Sequence, residues 1–132
     1  MKKLTTQQKK AKLKRKLDKM IQELGRATYT KCMVCNKPMT VLHHYFPKSM
    51  AGILRYEWEN LIPLCHGCHM QHHNGNPTIH EKINLIKGEK WRNDLEAKKR
   101  QYFNDTLGYY QDLEIKIKTI SKNTGLLKPY KV

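Results

Sequence analysis

The stretch CHGCHMQHH, Cys65 to His73, puts two cysteines and four histidines into nine residues. Every one of these side chains can bind a metal or carry a proton near neutral pH. A second Cys-x-x-Cys pair, Cys32 and Cys35, lies upstream, with 29 residues between Cys35 and Cys65. A two-residue spacing lets both sulfurs of a knuckle approach one ion, and two knuckles supply the four thiolates of a tetrahedral structural zinc. Such a site has no open position, so its expected role is structural. The gap is longer than in a plain zinc ribbon, so something is inserted between the knuckles.

The histidines remain once the cysteines are assigned. His69 and His73 stand four apart on an expected short helix and share a face, which can place two imidazoles on one ion. His43 and His44 are adjacent on an expected strand, so they point to opposite sides and need not do the same job. His72 is offset from the face shared by His69 and His73. His80 reads as a surface residue of the next helix.

These residues must be positioned by local structure. TVLHHYF, Thr40 to Phe46, has the β-branched and aromatic content of a strand, and NLIPLC, Asn60 to Cys65, reads as a second one. A short helix is expected over 65–74, ended by NGNP. Upstream, Leu13, Leu17, Met20, Ile21 and Leu24 recur at helical spacing over 5–24, with Gly25 as the stop and a polar, basic leading part expected to fray. Downstream, TIHE suggests a capping box at Thr78 and Glu81, opening a helix with Ile79, Ile83 and Ile86 on one face and Gly88 at its end. A further helix is expected over 89–103, with Trp91, Leu95, Tyr102 and Phe103 inward. Another spans 106–121, and the tail SKNTGLLKPYKV is expected to be loose.

The chain has 132 residues and a formal charge of +15, distributed unevenly. Residues 1–31 hold eleven Lys and Arg against Asp18 and Glu23. Residues 32–75 are nearly neutral and hold six of the seven histidines, and residues 76–132 are again basic. Basic flanks around a neutral, metal-rich centre favour a polyanionic partner. No apolar run is long enough for a membrane span, and no apolar signal region follows the basic N-terminus. An intracellular, cytoplasmic protein that uses its cysteines for metal is expected.

The ordered set VLHHYFP, ENLIPLC and CHMQHH resembles the HNH, or ββα-metal, endonucleases over about residues 32–75. The resemblance implies an α+β fold: a small ββα-metal core with four-cysteine zinc knuckles, flanked by an N-terminal basic helix (1–31) and a C-terminal helical extension (76–132). It implies that His43 is a metal ligand, His44 the general base, and Asn60 the residue that braces the loop and holds the base. His69 and His73 are then the further ligands of a catalytic metal. Cys32, Cys35, Cys65 and Cys68 hold structural Zn2+. The catalytic ion would be Mg2+, Mn2+, Ni2+ or Zn2+, with imidazole ligands favouring the transition metals.

The implied activity is hydrolysis of DNA phosphodiester bonds, leaving 5′-phosphate and 3′-hydroxyl ends. Lys48, Arg55 and His72 are candidate phosphate contacts, with the lysines and arginines of the N-terminal helix and of EAKKRQY. HHYFPKS, LRYEWENL and the following GNPTIHEKINLIKG are similar to phage recombination nucleases of the NinG/Rap type, which act on branched DNA. A phage role in recombination or packaging, in the cytoplasm of a bacterial host, follows as an expectation, with branched or nicked DNA as substrate. The alternative is a non-catalytic zinc-ribbon DNA-binding protein, and RNA is open as a substrate.

Overall fold

The computed structural model describes residues 2–123, without the side chains of 122 and 123. The first long element is α1, Thr6–Thr28. Thr5 caps it: its hydroxyl accepts from the Gln8 amide N–H, and the Gln8 side chain accepts from the Thr5 N–H in return. The basic leading part is therefore helical from its first turn, where fraying was expected. Lys10 and Lys14 pair with Asp105 at 3.1 and 3.6 Å, and Lys16 pairs with Glu114 at 2.6 Å.

Gly25 does not stop the helix, which runs one turn further. A Cβ at this position would lie 2.3 Å from Leu42 Cδ1, so glycine is needed there for close approach to the hairpin.

The hairpin pairs β1, Val41–His44, with β2, Leu61–Leu64, antiparallel. Leu42 faces Pro63 and His43 faces Ile62 across the pair. Pro63 has no N–H to give, and the backbone groups of Leu42 are satisfied from the other side. The Gln22 side-chain amide of α1 donates to the Leu42 carbonyl and accepts from its N–H, both at 2.9 Å. One glutamine thus occupies the place a third strand would take at this edge.

Two short 3₁₀ turns, Gly52–Leu54 and Trp58–Asn60, fill the connection between the strands. Then α2, His66–His73, follows β2 directly, so the chain forms a ββα unit. Three more helices complete the described chain: α3, Thr78–Lys87; α4, Glu89–Lys99; and α5, Leu107–Asn123.

Strand alternation divides the core in two. Leu42 and Leu61 face Leu17, Ile21 and Leu24 of α1 and Tyr110, Leu113 and Ile117 of α5. Ile62 and Leu64 face the other way, toward the cysteines, Ile79 and Ile83 of α3 and Leu95 of α4. His43 shares the second face and His44 the first, as their adjacency requires.

Several local expectations need correction. Thr78 lies inside α3, whose N-cap is Pro77; its N–H is satisfied by the Asn76 side chain at 3.0 Å, and the capping box is not formed. Ile86 and Tyr102 are exposed, since the packed faces of α3 and α4 turn away from them and α4 ends at Lys99. Of the tail expected to be loose, Ser121–Asn123 extend α5, and residues 124–132 lie outside the described residues. Among the described residues, no helix is long and apolar enough to cross a membrane.

Candidate metal centre and active site

The hairpin and α2 bring all four cysteines to one point. Their sulfurs lie within 4.8 Å of one another, and Cys35 Sγ is 3.5 Å from Cys65 Sγ. A zinc–sulfur bond of about 2.3 Å sets tetrahedral sulfurs about 3.8 Å apart, so the cluster has the dimensions of a closed four-thiolate site. Backbone N–H groups of Val34 and Cys68 point at the sulfurs of Cys32 and Cys65, each at 3.4 Å. The Cys68 N–H lowers the Cys65 thiol to about 7 against the opposing effect of burial, whereas burial and the neighbouring thiols raise Cys68, so without a metal the four do not ionise together. None of the four forms a disulfide. The donor set fits a structural metal, as the spacing implied.

On the other side of α2 the histidines meet β1 in a cleft of about 570 Å³. It is lined by His43, His44, Lys48, His69, His72 and His73, together with Gln22 of α1. All the histidines expected at the catalytic centre are therefore brought together. Their grouping differs from the expected one. The tightest set of ring nitrogens is His43, His72 and His80, all within 4.8 Å of one another. The His69 ring is 5.4 Å from that of His43 and 4.5 Å from that of His73, and His73 is exposed.

His72, expected to face phosphate or solvent, lies with its ring 4.6 Å from His43 and stacked on His80 at 4.2 Å. His80 is half-buried against the site. Sequence reasoning passed over it because a lone histidine next to an apolar helix stripe has no ligand spacing of its own. The one available signal was the short link from His73 to Thr78, which folds α3 back beside α2.

Burial is the main force on these imidazoles. Burial first, then the neighbouring His72, His80 and His69, pushes His43 down to about 3, and burial with His72 and Arg92 takes His80 to about 4. Burial also lowers His69 and His72. Neutral rings are what a metal requires. His43 Nε2 and His80 Nε2 are 3.4 Å apart, close to the roughly 3.3 Å expected of two imidazoles on one zinc-sized ion.

His44 is held differently. Its Nε2 lies 2.8 Å from the Arg55 carbonyl oxygen. A carbonyl can only accept, so Nε2 carries the proton and Nδ1 is the basic nitrogen. Burial lowers its pKa, partly opposed by this hydrogen bond, and the Lys48 charge lowers it further.

Asn60 is fully buried. Its Oδ1 accepts from the Phe46 N–H at 2.8 Å, and its Nδ2 donates to the carbonyls of Phe46 and Leu54, both at 3.1 Å. It therefore ties the end of β1 to the loop that presents the Arg55 carbonyl.

The Arg55 side chain is committed elsewhere, unlike the phosphate contact expected of it. Its Nε and Nη2 bind the two carboxylate oxygens of Asp18 at 3.0 and 2.5 Å. Bidentate pairing to a half-buried carboxylate commits its fork to α1. Lys48 lines the cleft and lies 4.0 Å from the same carboxylate.

A ββα unit carries a four-cysteine cluster on one side of its helix and a histidine cleft on the other, an arrangement consistent with a small HNH, ββα-metal core. Residues 32–75, one third of the chain, match the family model described as HNH endonuclease. No curated protein and no solved structure matches the chain.

Proposed function

We propose that this protein is a metal-dependent endonuclease that hydrolyses DNA phosphodiester bonds, with His44 as general base. The observation that carries the reading is the 2.8 Å bond from His44 Nε2 to the Arg55 carbonyl. It leaves Nδ1 as the unprotonated nitrogen of a ring that lines the cleft with His43 and Lys48. His44 is neutral at pH 7, because its pKa is lowered from an ordinary value already below 7.

Water attacks phosphorus as its proton passes to His44 Nδ1. The P–O3′ bond then breaks, and the departing oxygen takes a proton from solvent. When bound in the cleft, a divalent cation (Mg2+, Mn2+, Ni2+ or Zn2+) would act as a Lewis acid toward the phosphoryl and leaving oxygens. The structural ion of the four cysteines is taken as zinc. Asn60 acts as a positioning residue through the loop that carries Arg55. Lys48 lines the cleft and offers a cation to a phosphate.

Affinity is supplied by charge. Arg15 and Lys19 are exposed on α1, seven and three residues before Gln22, and so lie on the helix face that reaches the cleft. They and Lys48 form a short phosphate track, with the salt dependence and weak sequence preference of backbone contacts. The cellular setting carried by the resemblance is phage DNA recombination or packaging in a bacterial host cytoplasm, on branched or nicked DNA.

The test is cleavage of supercoiled plasmid and of a four-way junction, side by side, by wild type and His44→Ala with each metal or a chelator. Metal-dependent cutting that falls by about 10²–10⁴ in a folded, zinc-loaded mutant supports the reading. Equal cutting by the mutant, or none by wild type with any metal, overturns it and leaves a zinc-ribbon DNA-binding module.

A further inference from the structure

We propose that His80 of α3 is a metal ligand: His43, His72 and His80 hold one transition-metal cation, which clamps α3 onto the hairpin. His80 lies outside residues 32–75, so the matched core does not contain the whole site. The three rings come from β1, α2 and α3, and their nitrogens converge to within 4.8 Å.

Two further observations point to an ion. The Nδ1 of His72 is buried with no hydrogen-bond partner. A polar atom in that state costs stability unless something coordinates it, and a neutral imidazole nitrogen is a metal ligand. His80 is also held as metal ligands are held, by surrounding packing. Its ring stacks on Tyr45 at 4.4 Å and 16°, and the Tyr45 hydroxyl donates to Asn84 Oδ1 at 2.6 Å, one turn further along α3. Buried Ile79 and Ile83 fix the rotation of α3 about its axis. The ring is thus held between Tyr45 and His72, on a helix whose rotation is set.

Three imidazoles select Zn2+, Ni2+ or Co2+ and hold Mg2+ poorly. The cation of this trio is therefore a resident transition metal, and it makes the docking of α3 metal-dependent. This deepens the nuclease reading by naming its ligands, and it is tested by binding rather than cutting.

The experiment titrates Co2+ into protein whose cysteine site is already filled with zinc, following visible absorption and calorimetric heat. It compares wild type with His80→Phe, which keeps a ring between Tyr45 and His72 but cannot coordinate, and with His73→Ala. Expected are one further equivalent in wild type, binding at least about tenfold weaker in His80→Phe, and near-normal binding in His73→Ala. Amide exchange in α3 should slow on adding Co2+ in wild type and not in His80→Phe. If no second equivalent binds, or if His80→Phe binds as wild type does, the assignment fails. Normal cobalt binding by His80→Phe alongside inactive His44→Ala would sink the ligand set and leave the nuclease standing.

Discussion

Replacing Asn60 by alanine removes three hydrogen bonds at a fully buried position. The Leu54 carbonyl keeps a partner, because it also accepts from the Glu57 N–H at 3.2 Å. The N–H and the carbonyl of Phe46 lose the Asn60 amide and keep nothing in its place. Each orphaned backbone group costs about 1–3 kcal/mol, and the partial exposure of Phe46 holds both to the lower part of that range. The expected loss is about 3 kcal/mol, a large share of the stability of an ordinary domain. With a urea m-value of about 2 kcal/mol per molar, the midpoint in zinc-replete buffer falls by about 1.5 M. Amide exchange at Phe46 should quicken more than at Leu42, whose N–H is held by Gln22. Cutting should fall as well, because the loop carrying the Arg55 carbonyl is no longer tied to β1. Asn60→Asp keeps the acceptor but buries a charge, and is expected to be at least as unstable at pH 7. A midpoint shift under about 0.5 M with unchanged exchange at Phe46 would show that the loop closes without the amide, and the bracing role would be wrong.

Other expectations follow from single contacts. Gly25→Ala puts a Cβ against Leu42, so overpacking of about 1–3 kcal/mol should exceed the roughly 1 kcal/mol gained in helix propensity; thermal denaturation of this variant and of Gly25→Val, expected to be worse, checks this. Stripping the cysteine site with a chelator, or changing Cys65 to Ser, should release one equivalent of zinc and unfold the hairpin and α2, read by a colorimetric zinc assay and by circular dichroism. For Asp18, burial raises the pKa, but hydrogen bonds from Arg55 and Tyr56 and the charges of Arg55 and Lys48 outweigh it and hold the carboxyl below 3.8. A depressed carboxylate stabilises the fold above 3.8 and loses that contribution as pH falls through its folded value. Asp18→Asn should therefore be less stable than wild type at pH 6, with the gap closing below pH 3.8 in acid-denaturation curves. Changing Arg15 and Lys19 to Gln should weaken binding to unrelated DNA sequences alike and flatten the salt dependence by about two ion equivalents.

The knuckles, the two strands and the short helix were legible in the sequence because their signals are local. Cys-x-x-Cys spacing, the β-branched and aromatic content of TVLHHYF and the abrupt NGNP stop each need only a few residues. Asn60 was legible only through the resemblance. Its three partners are backbone groups at Phe46 and Leu54, and backbone groups leave no trace in residue type. Gly25 was read as a stop because local rules know glycine as a terminator. Its reason is a contact 17 residues away with Leu42, visible only when helix and hairpin are packed. Arg55 looked free for phosphate because its partner, Asp18, comes from an element 37 residues earlier.

The same limit explains the histidines. Helical spacing selects His69 and His73, because a helix considered alone knows only its own faces. What decides the tighter cluster is the direction from which β1 and α3 arrive. Cys65 and Cys68 turn one side of α2 toward the thiolate site and the Ile62–Leu64 side of the core. With one side of an eight-residue helix taken, its remaining histidines divide between the edge facing solvent and the edge facing His43. The four-residue link after His73 lays α3 along that second edge, and buried Ile79 turns the next residue, His80, beside His72. The cysteine site thus does more than staple a small core, since it sets the rotation of the helix that serves the second site. Ser in place of Cys68 should accordingly disturb cobalt binding at the histidines. If Cys68→Ser bound cobalt at the histidines with the affinity of wild type, the two sites would be independent and this account of α2 would be wrong.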